Sequence, residues 1–226
     1  MYAAEADGLR ALRVAGARAP EPYAHGAQGG GAFIELERLE LGAGADWPAL
    51  ARMLAALHRN TGPRFGWEKD NWIGLSPQSN GWRDNWIDFY AECRLKPQLE
   101  RAGLIKQGAP LLGGLNFFFA NHRPVPSLLH GDLWNGNVGF TAEGPVVFDP
   151  AVYYGDREAD LAMSELFGGF PREFHAAYAA AWPLDAGYAS RRPLYQLYHL
   201  LNHLNLFGGG YLGQVRATLG LLLRAL

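Results

Sequence analysis

Three oxygen-bearing side chains, Asp132, Asn137 and Asp149, lie in one stretch of this chain, LLHGDLWNGNVGFTAEGPVVFDP at 128–150. Two apolar runs, Val138 to Phe140 and Pro145 to Phe148, flank the turn-like Thr141-Ala142-Glu143-Gly144. That pattern predicts a β-hairpin. Pairing about its midpoint sets Phe140 against Val146 and Val138 against Phe148. One step outward, Asn137 falls beside Asp149. Asp132, five residues before Asn137, enters at the same end. Such a trio suits phosphoryl transfer. Hard Mg²⁺ takes oxygen ligands and needs only one or two from protein, with phosphates and water completing its shell. Asn137 and Asp149 fit that role, which leaves Asp132 free to accept the proton of an attacking hydroxyl.

Taken singly these residues have plainer uses: an Asp in a Gly-rich turn forms turns, and an Asn caps strand ends. Spacing, hairpin and residue types together favour the chemistry. The D-x4-N spacing, followed by an Asp after an apolar strand, matches the protein-kinase catalytic loop and its metal-binding Asp. Here the loop reads His130-Gly131-Asp132 in place of His-Arg-Asp, and Pro150 follows Asp149.

The elements that must position this loop are mostly helical. Residues 3–13 place Ala6, Leu9 and Leu12 at helical spacing, with Gly16 as a stop. Gly29-Gly30-Gly31 then leads into AFIELERLEL, a strand ending near Glu37. From Asp46, an N-cap with Pro48 in the first turn, WPALARMLAALHRN shows one apolar face of Leu50, Met53, Leu54 and Leu57. Further helices are expected at 84–101, 111–121, 157–167, 171–182, 190–207 and 211–226. The reading is α+β: a short start at 1–38 and a large helical body at 39–226.

Composition narrows the class. Twenty Lys and Arg against twenty-two Asp and Glu give a net charge of -2, without the basic excess of a nucleic-acid binder. The chain is 49% hydrophobic and 19% charged, a folding composition. No secretory h-region and no apolar run of about 20 residues is present, so a membrane partner is not expected. With the single Cys93, this makes a soluble cytoplasmic protein the default expectation.

HGDLWNGN, FDPAVYYGDREADLA, FGGF and LYHLLNHLNLFGGGYL resemble the fructosamine kinase family of ketosamine 3-kinases. FGWEKDNWIGLSPQSNGW and RLKPQL are also similar to that family, and the likeness runs from Met1 to about Leu212. Trp134 in the loop and the YYGDREADLA run separate it from choline kinases and aminoglycoside phosphotransferases. The resemblance implies a protein-kinase-like two-lobe fold and transfer of the ATP γ-phosphoryl to O3 of a ketosamine, free or protein-bound. Elimination of the phosphorylated sugar would then deglycate the amine. It implies Asp132 as catalytic base, Asn137 and Asp149 as Mg²⁺ ligands, and Glu37, Arg38 and Leu39 as the hinge meeting adenine. Glu5 matches the helix Glu that pairs with an ATP-binding Lys. The match starts just after that Lys and the Gly-rich loop, and Lys69, Lys96 and Lys106 all follow the hinge. A truncated N-terminal lobe and weak ATP binding by residues 1–226 are therefore expected. The rival readings are a kinase for another small alcohol or amino sugar, and a pseudokinase.

Other residues carry two readings each. Trp134 either stacks on the sugar or its amine-linked group or packs within the loop. Trp67, Trp72, Trp82 and Trp86 are expected as a buried cluster pinning their loop. His199 and His203, four apart with Asn202 on the same face, read as a cleft-lining helix face or as core histidines; no third zinc ligand is apparent. Asp156 reads as a helix N-cap. Asp160, in the following helix, resembles the Asp that braces the catalytic loop, with His130 inside that loop. Cys93 reads as a structural thiol.

Overall fold

The computed structural model describes residues 1–42 and 44–226. The chain opens with α1 (Tyr2–Val14), which buries Ala6, Leu9 and Leu12 as its spacing predicts. Strands β1 (Pro22–Gln28) and β2 (Gly31–Leu36) form an antiparallel hairpin. Its two-residue turn, Gly29-Gly30, has positive φ at both positions, the backbone that a two-residue hairpin turn needs. Helix α2 (Trp47–His58) starts as expected, with the Asp46 carboxylate accepting from the Ala49 amide at 2.8 Å.

A small hairpin follows, β3 (Asn71–Ile73) with β4 (Ser76–Gln78). The helix expected over 84–101 is one rod in three parts: α3 (Trp86–Tyr90), a π-helical turn Ala91–Leu95, and α4 (Lys96–Arg101). Helix α5 runs Ile105–Gly114, starting six residues before the expected 111 and ending sooner. Pro110 sits inside it. The early start is tertiary: Gly108 lies so close to Leu99 of α4 that a β-carbon there would meet its side chain at 2.5 Å.

Strand β5 (Ser127–Leu129) pairs antiparallel with β8 (Tyr153–Gly155), and between them stands the hairpin of β6 (Val138–Thr141) and β7 (Gly144–Val147). The register corrects the expectation by one residue. Val138 pairs with Val147 and Phe140 with Pro145, across a loop of Ala142 and Glu143. The Thr141 hydroxyl accepts from the Glu143 amide and donates to the Gly144 carbonyl, which tightens the turn. Helices α6 (Glu158–Ser164), α7 (Arg172–Ala181), α8 (Tyr188–Phe207) and α9 (Leu212–Ala225) complete the chain.

Two apolar cores lie on either side of the β5–β8 ladder. One joins α1 to α2, α6 and α7 through Leu9, Leu12, Leu54, Leu57, Leu161 and Phe174. The other joins α3, α4, α5, α8 and α9 around Trp86, Phe89, Tyr195 and Leu201. No described helix is long and apolar enough to cross a membrane.

Candidate active site

The catalytic-loop segment is held from beneath by one carboxylate. Asp160, buried in α6, accepts the backbone amides of His130 at 2.7 Å and Gly131 at 2.9 Å. Its Oδ2 also lies 3.1 Å from His58 Nε2 at the end of α2. Burial pushes the Asp160 carboxyl up, but the hydrogen bond and charge of His58 outweigh it and hold the group below its usual value. His58 in turn meets the Tyr178 hydroxyl at 2.7 Å. His58 is a functional neighbour that sequence reading missed. Its one signal was a polar residue among the apolar positions of α2.

His130 fastens the loop to the second carboxylate segment. Its Nε2 donates to the Phe148 carbonyl at 3.0 Å, and its Nδ1 accepts from the Asp132 amide at 3.3 Å. Gly131 has φ +84°, and a β-carbon there would lie 2.0 Å from the Ala151 carbonyl oxygen. Only glycine allows both the turn and the approach.

Asn137 ties the pieces together. Its Nδ2 donates to the Asp132 carbonyl (2.9 Å), to Asp132 Oδ2 (3.2 Å) and to the Asp149 carbonyl (3.4 Å). Across the strands Asn137 faces Phe148, whose amide donates to its carbonyl at 3.1 Å, so Asp149 lies one residue beyond the ladder. There it adopts φ +54°, in the left-handed region uncommon outside glycine.

Glu5 of α1, Asp132, Trp134, Asn137 and Asp149 line one cleft of about 460 Å³, with Asn71, Trp72 and Leu75 on its far wall. Its lining residues include three carboxylates and no Lys or Arg. Burial pushes Asp132 up to about 7, helped by Asp160 and Asp149 and opposed by the Asn137 hydrogen bond. Glu5 is raised by burial first and Asp149 second. The β3–β4 wall is fastened by amides: Asn71 Nδ2 donates to the Val152 carbonyl, and Gln78 Nε2 to Asn71 Oδ1 and the Ala151 carbonyl. The Tyr198 hydroxyl of α8 donates to Gln78 Oε1 at 2.7 Å. Buried Arg94, from the π-helical turn, reaches Asn80 Oδ1 at 2.7 Å.

Other expected residues sort differently. Arg38 is exposed and its guanidinium pairs with Glu40. The Glu37 carboxylate takes both Arg18 nitrogens, at 2.5 and 2.7 Å, which lowers it to about 2. Neither these two nor half-buried Leu39 appears in the cleft lining. Asn202 does not face the cleft: buried on α8, its Oδ1 accepts from Gln98 of α4. His203 does not line the cleft either: its Nδ1 donates to the His199 carbonyl at 2.9 Å, and its ring packs on Phe167 at 4.3 Å. His199 is buried beside Asp132. The four tryptophans do not form one cluster. Trp86 is core, Trp67 and Trp82 flank Tyr154, and Trp72 is 38% exposed in the cleft wall. Asp156 does accept the Glu158 amide at 3.0 Å, and also binds His122 and Tyr195. Cys93 is buried, and its burial raises the thiol.

A probable ketoamine kinase of Synechocystis sp. is 46% identical over 99% of this chain and 79% of its own length. A chloroplastic protein-ribulosamine 3-kinase of Arabidopsis thaliana is 42% identical over 93% of this chain and 68% of its own. A crystal structure from Haemophilus somnus, named as a putative fructosamine-3-kinase, superposes with a TM-score of 0.91 at 32% identity, covering 98% of this chain and 79% of that one. A choline/ethanolamine kinase family protein of Mesorhizobium loti, at 16% identity and a TM-score of 0.58, shares the fold. The fructosamine kinase family model matches residues 1–225, and the chain belongs to that family.

Proposed function

We propose that this protein is an ATP- and Mg²⁺-dependent kinase that phosphorylates ketosamines at the sugar 3-hydroxyl. The observation that carries the reading is the cleft in which Asp132, Asn137 and Asp149 meet without a cationic side chain. Carboxylates gathered in a partly buried cleft favour a bound cation. Asn137 spends its Nδ2 on Asp132 and on the Asp149 backbone carbonyl, which leaves its Oδ1 free, and the two residues line the same cleft. An amide oxygen and a carboxylate are a donor pair that suits Mg²⁺. Bound there, the metal would neutralise charge on the nucleotide phosphates.

The remaining work falls to the chain itself. Asp132 accepts the proton of the acceptor hydroxyl, and a carboxyl shifted towards neutrality is a competent base at physiological pH. Asn137 fixes its Oδ2, and Asp160 fixes the loop that carries it. By the family resemblance, the backbone of Glu37, Arg38 and Leu39, outside this cleft, would meet adenine, and Trp134, inside it, would pack against the sugar or its amine. The names of the relatives support the acceptor class, and elimination of the 3-phosphorylated sugar gives deglycation as the outcome.

Purified protein with Mg·ATP and a panel of N-alkyl ribulosamines, fructosamines, choline and amino sugars tests the reading. Product ³¹P spectra should show a sugar 3-phosphate from the ketosamines alone. Phosphorylation of choline or an amino sugar in preference would replace the assignment.

A further inference from the structure

The Asp132 carboxylate has two oxygens, and the catalytic loop accounts for one of them. Oδ2 receives Asn137 Nδ2. Oδ1 points towards α8, where His199 Nδ1 lies 3.8 Å away. That nitrogen is buried and has no hydrogen-bond partner. His199 as a residue is only 4% exposed. A buried polar atom without a partner is unusual in a folded protein and calls for a reason.

The surroundings leave little else for Nδ1 to do. The His199 carbonyl is engaged by His203 Nδ1, and the ring packs at 5.2 Å from Tyr198. Burial holds the imidazole down at about 3, so the ring is neutral and carries one proton shared between two possible nitrogens. A lone pair aimed at a carboxylate is repulsive, whereas an N–H aimed at it is attractive. A movement of about 0.9 Å would bring Nδ1 within N–H···O range. Catalytic hydrogen bonds are often long in free enzymes and tighten when substrate binds.

We infer that His199 is a positioning residue for the base: its Nδ1–H closes onto Asp132 Oδ1 and sets the carboxylate's orientation towards the acceptor hydroxyl. The hydroxyl proton still goes to Asp132, and the γ-phosphoryl passes from ATP to the hydroxyl oxygen as its bond to the β-phosphate breaks and ADP leaves; His199 gains and loses nothing in the cycle. The inference rests on the proposed role of Asp132 and extends it to α8, remote in sequence from the catalytic loop.

Two isosteres separate this role from packing. Asparagine can place an amide N–H where Nδ1 stands, whereas glutamine places its own where Nε2 stands. His199→Asn should keep kcat within about threefold of the parent. His199→Gln and His199→Leu should lose about 10²-fold in kcat, the scale of a 1 Å misplacement, with KM for ATP unchanged. Thermal unfolding of all three checks that folding is not the cause. Parent-like kcat in His199→Leu overturns the inference, as does equal loss in the Asn and Leu variants with intact folds. A rise in sugar KM alone would make His199 a substrate contact instead and also overturns it.

A second measurement stands apart from the assigned reaction. Imidazole ¹⁵N resonances of the full chain should show His199 protonated on Nδ1, and Asp132→Ala should shift that signal. Protonation on Nε2, unmoved by Asp132→Ala, overturns the inference even if ketosamine turnover is seen. If no ketosamine is turned over but the Nδ1–H signal responds to Asp132→Ala, the acceptor assignment fails and the pairing stands.

Discussion

Asn137 donates to Asp132 twice, once to its backbone carbonyl at 2.9 Å and once to its carboxylate at 3.2 Å. One side chain thereby fixes both the loop and the group it carries. A base so held can be altered without moving it.

Asp132→Asn is the direct case. General-base catalysis contributes about 10²–10⁴-fold, and kcat should fall by that order with nucleotide affinity little changed. The same substitution should stabilise the fold. The folded carboxyl sits near 7, above its ordinary 3.8, so its ionisation opposes folding as pH rises through that interval. Above pH 7 the variant should be more stable by about 1–3 kcal/mol, and below pH 4 the difference should vanish. Urea titrations at pH 8 and pH 3.5 check both halves. Wild-type turnover in this variant would sink the assignment of the base.

Asp149 and Asn137 should separate by degree. Asp149→Ala removes the anionic ligand and should abolish Mg²⁺-dependent nucleotide binding. Asn137→Ala should weaken it and raise the Mg²⁺ requirement, while also slowing turnover because Asp132 loses its anchor. Calorimetric titration of ATP with and without Mg²⁺ distinguishes them. Equal binding of Mg·ATP by Asp149→Ala and the parent would exclude the proposed ligand.

The brace beneath the loop carries a stability prediction. Asp160→Asn turns one acceptor into a donor against the His130 and Gly131 amides. Stranding a buried amide costs about 1–3 kcal/mol, and chemical denaturation should register at least that loss. Because Asp160 is held below its usual value, its contribution is present above about pH 4 and fades as pH falls through the folded value. Asp160→Asn should therefore flatten part of the acid limb of the stability curve.

Glu37 gives a second acid-side marker, just past the end of β2. Arg18 lowers it from 4.5 to about 2, so its stabilisation is complete above 4.5 and disappears between 4.5 and 2. Glu37→Gln should remove that segment of the pH dependence, and raised salt should shrink it in the parent. An unchanged acid profile in Glu37→Gln would show that the pair is spent on solvent.

The residues proposed for the chemistry were legible because they are local. Asp132 and Asn137 share a loop, and the hairpin alone brings Asp149 close. The register was not, since either pairing leaves the apolar residues of the two runs opposed. What settles it is a two-residue loop, together with a bond from the Val147 amide to the distant Arg18 carbonyl. Asn202 failed for a similar reason. Helical spacing grouped it with His199, but Gln98 on another helix claims its amide. His58, His199 Nδ1 and the Arg18–Glu37 pair all act across more than a dozen residues of chain, where periodicity carries no information.

The amide lattice behind β3 and β4 bears on which acceptors fit. Asn71, Gln78, Asn80, Arg94 and Tyr198 fasten the base of that hairpin to two helices and to the backbone beside β8, while Leu75 at its tip stays 68% exposed. A wall bolted at its foot cannot swing like a lid. An acceptor bound in this cleft as proposed would thus meet a fixed gauge: bulk close to the β3–β4 wall would meet an unyielding surface, whereas bulk near Leu75 would pass over an open rim.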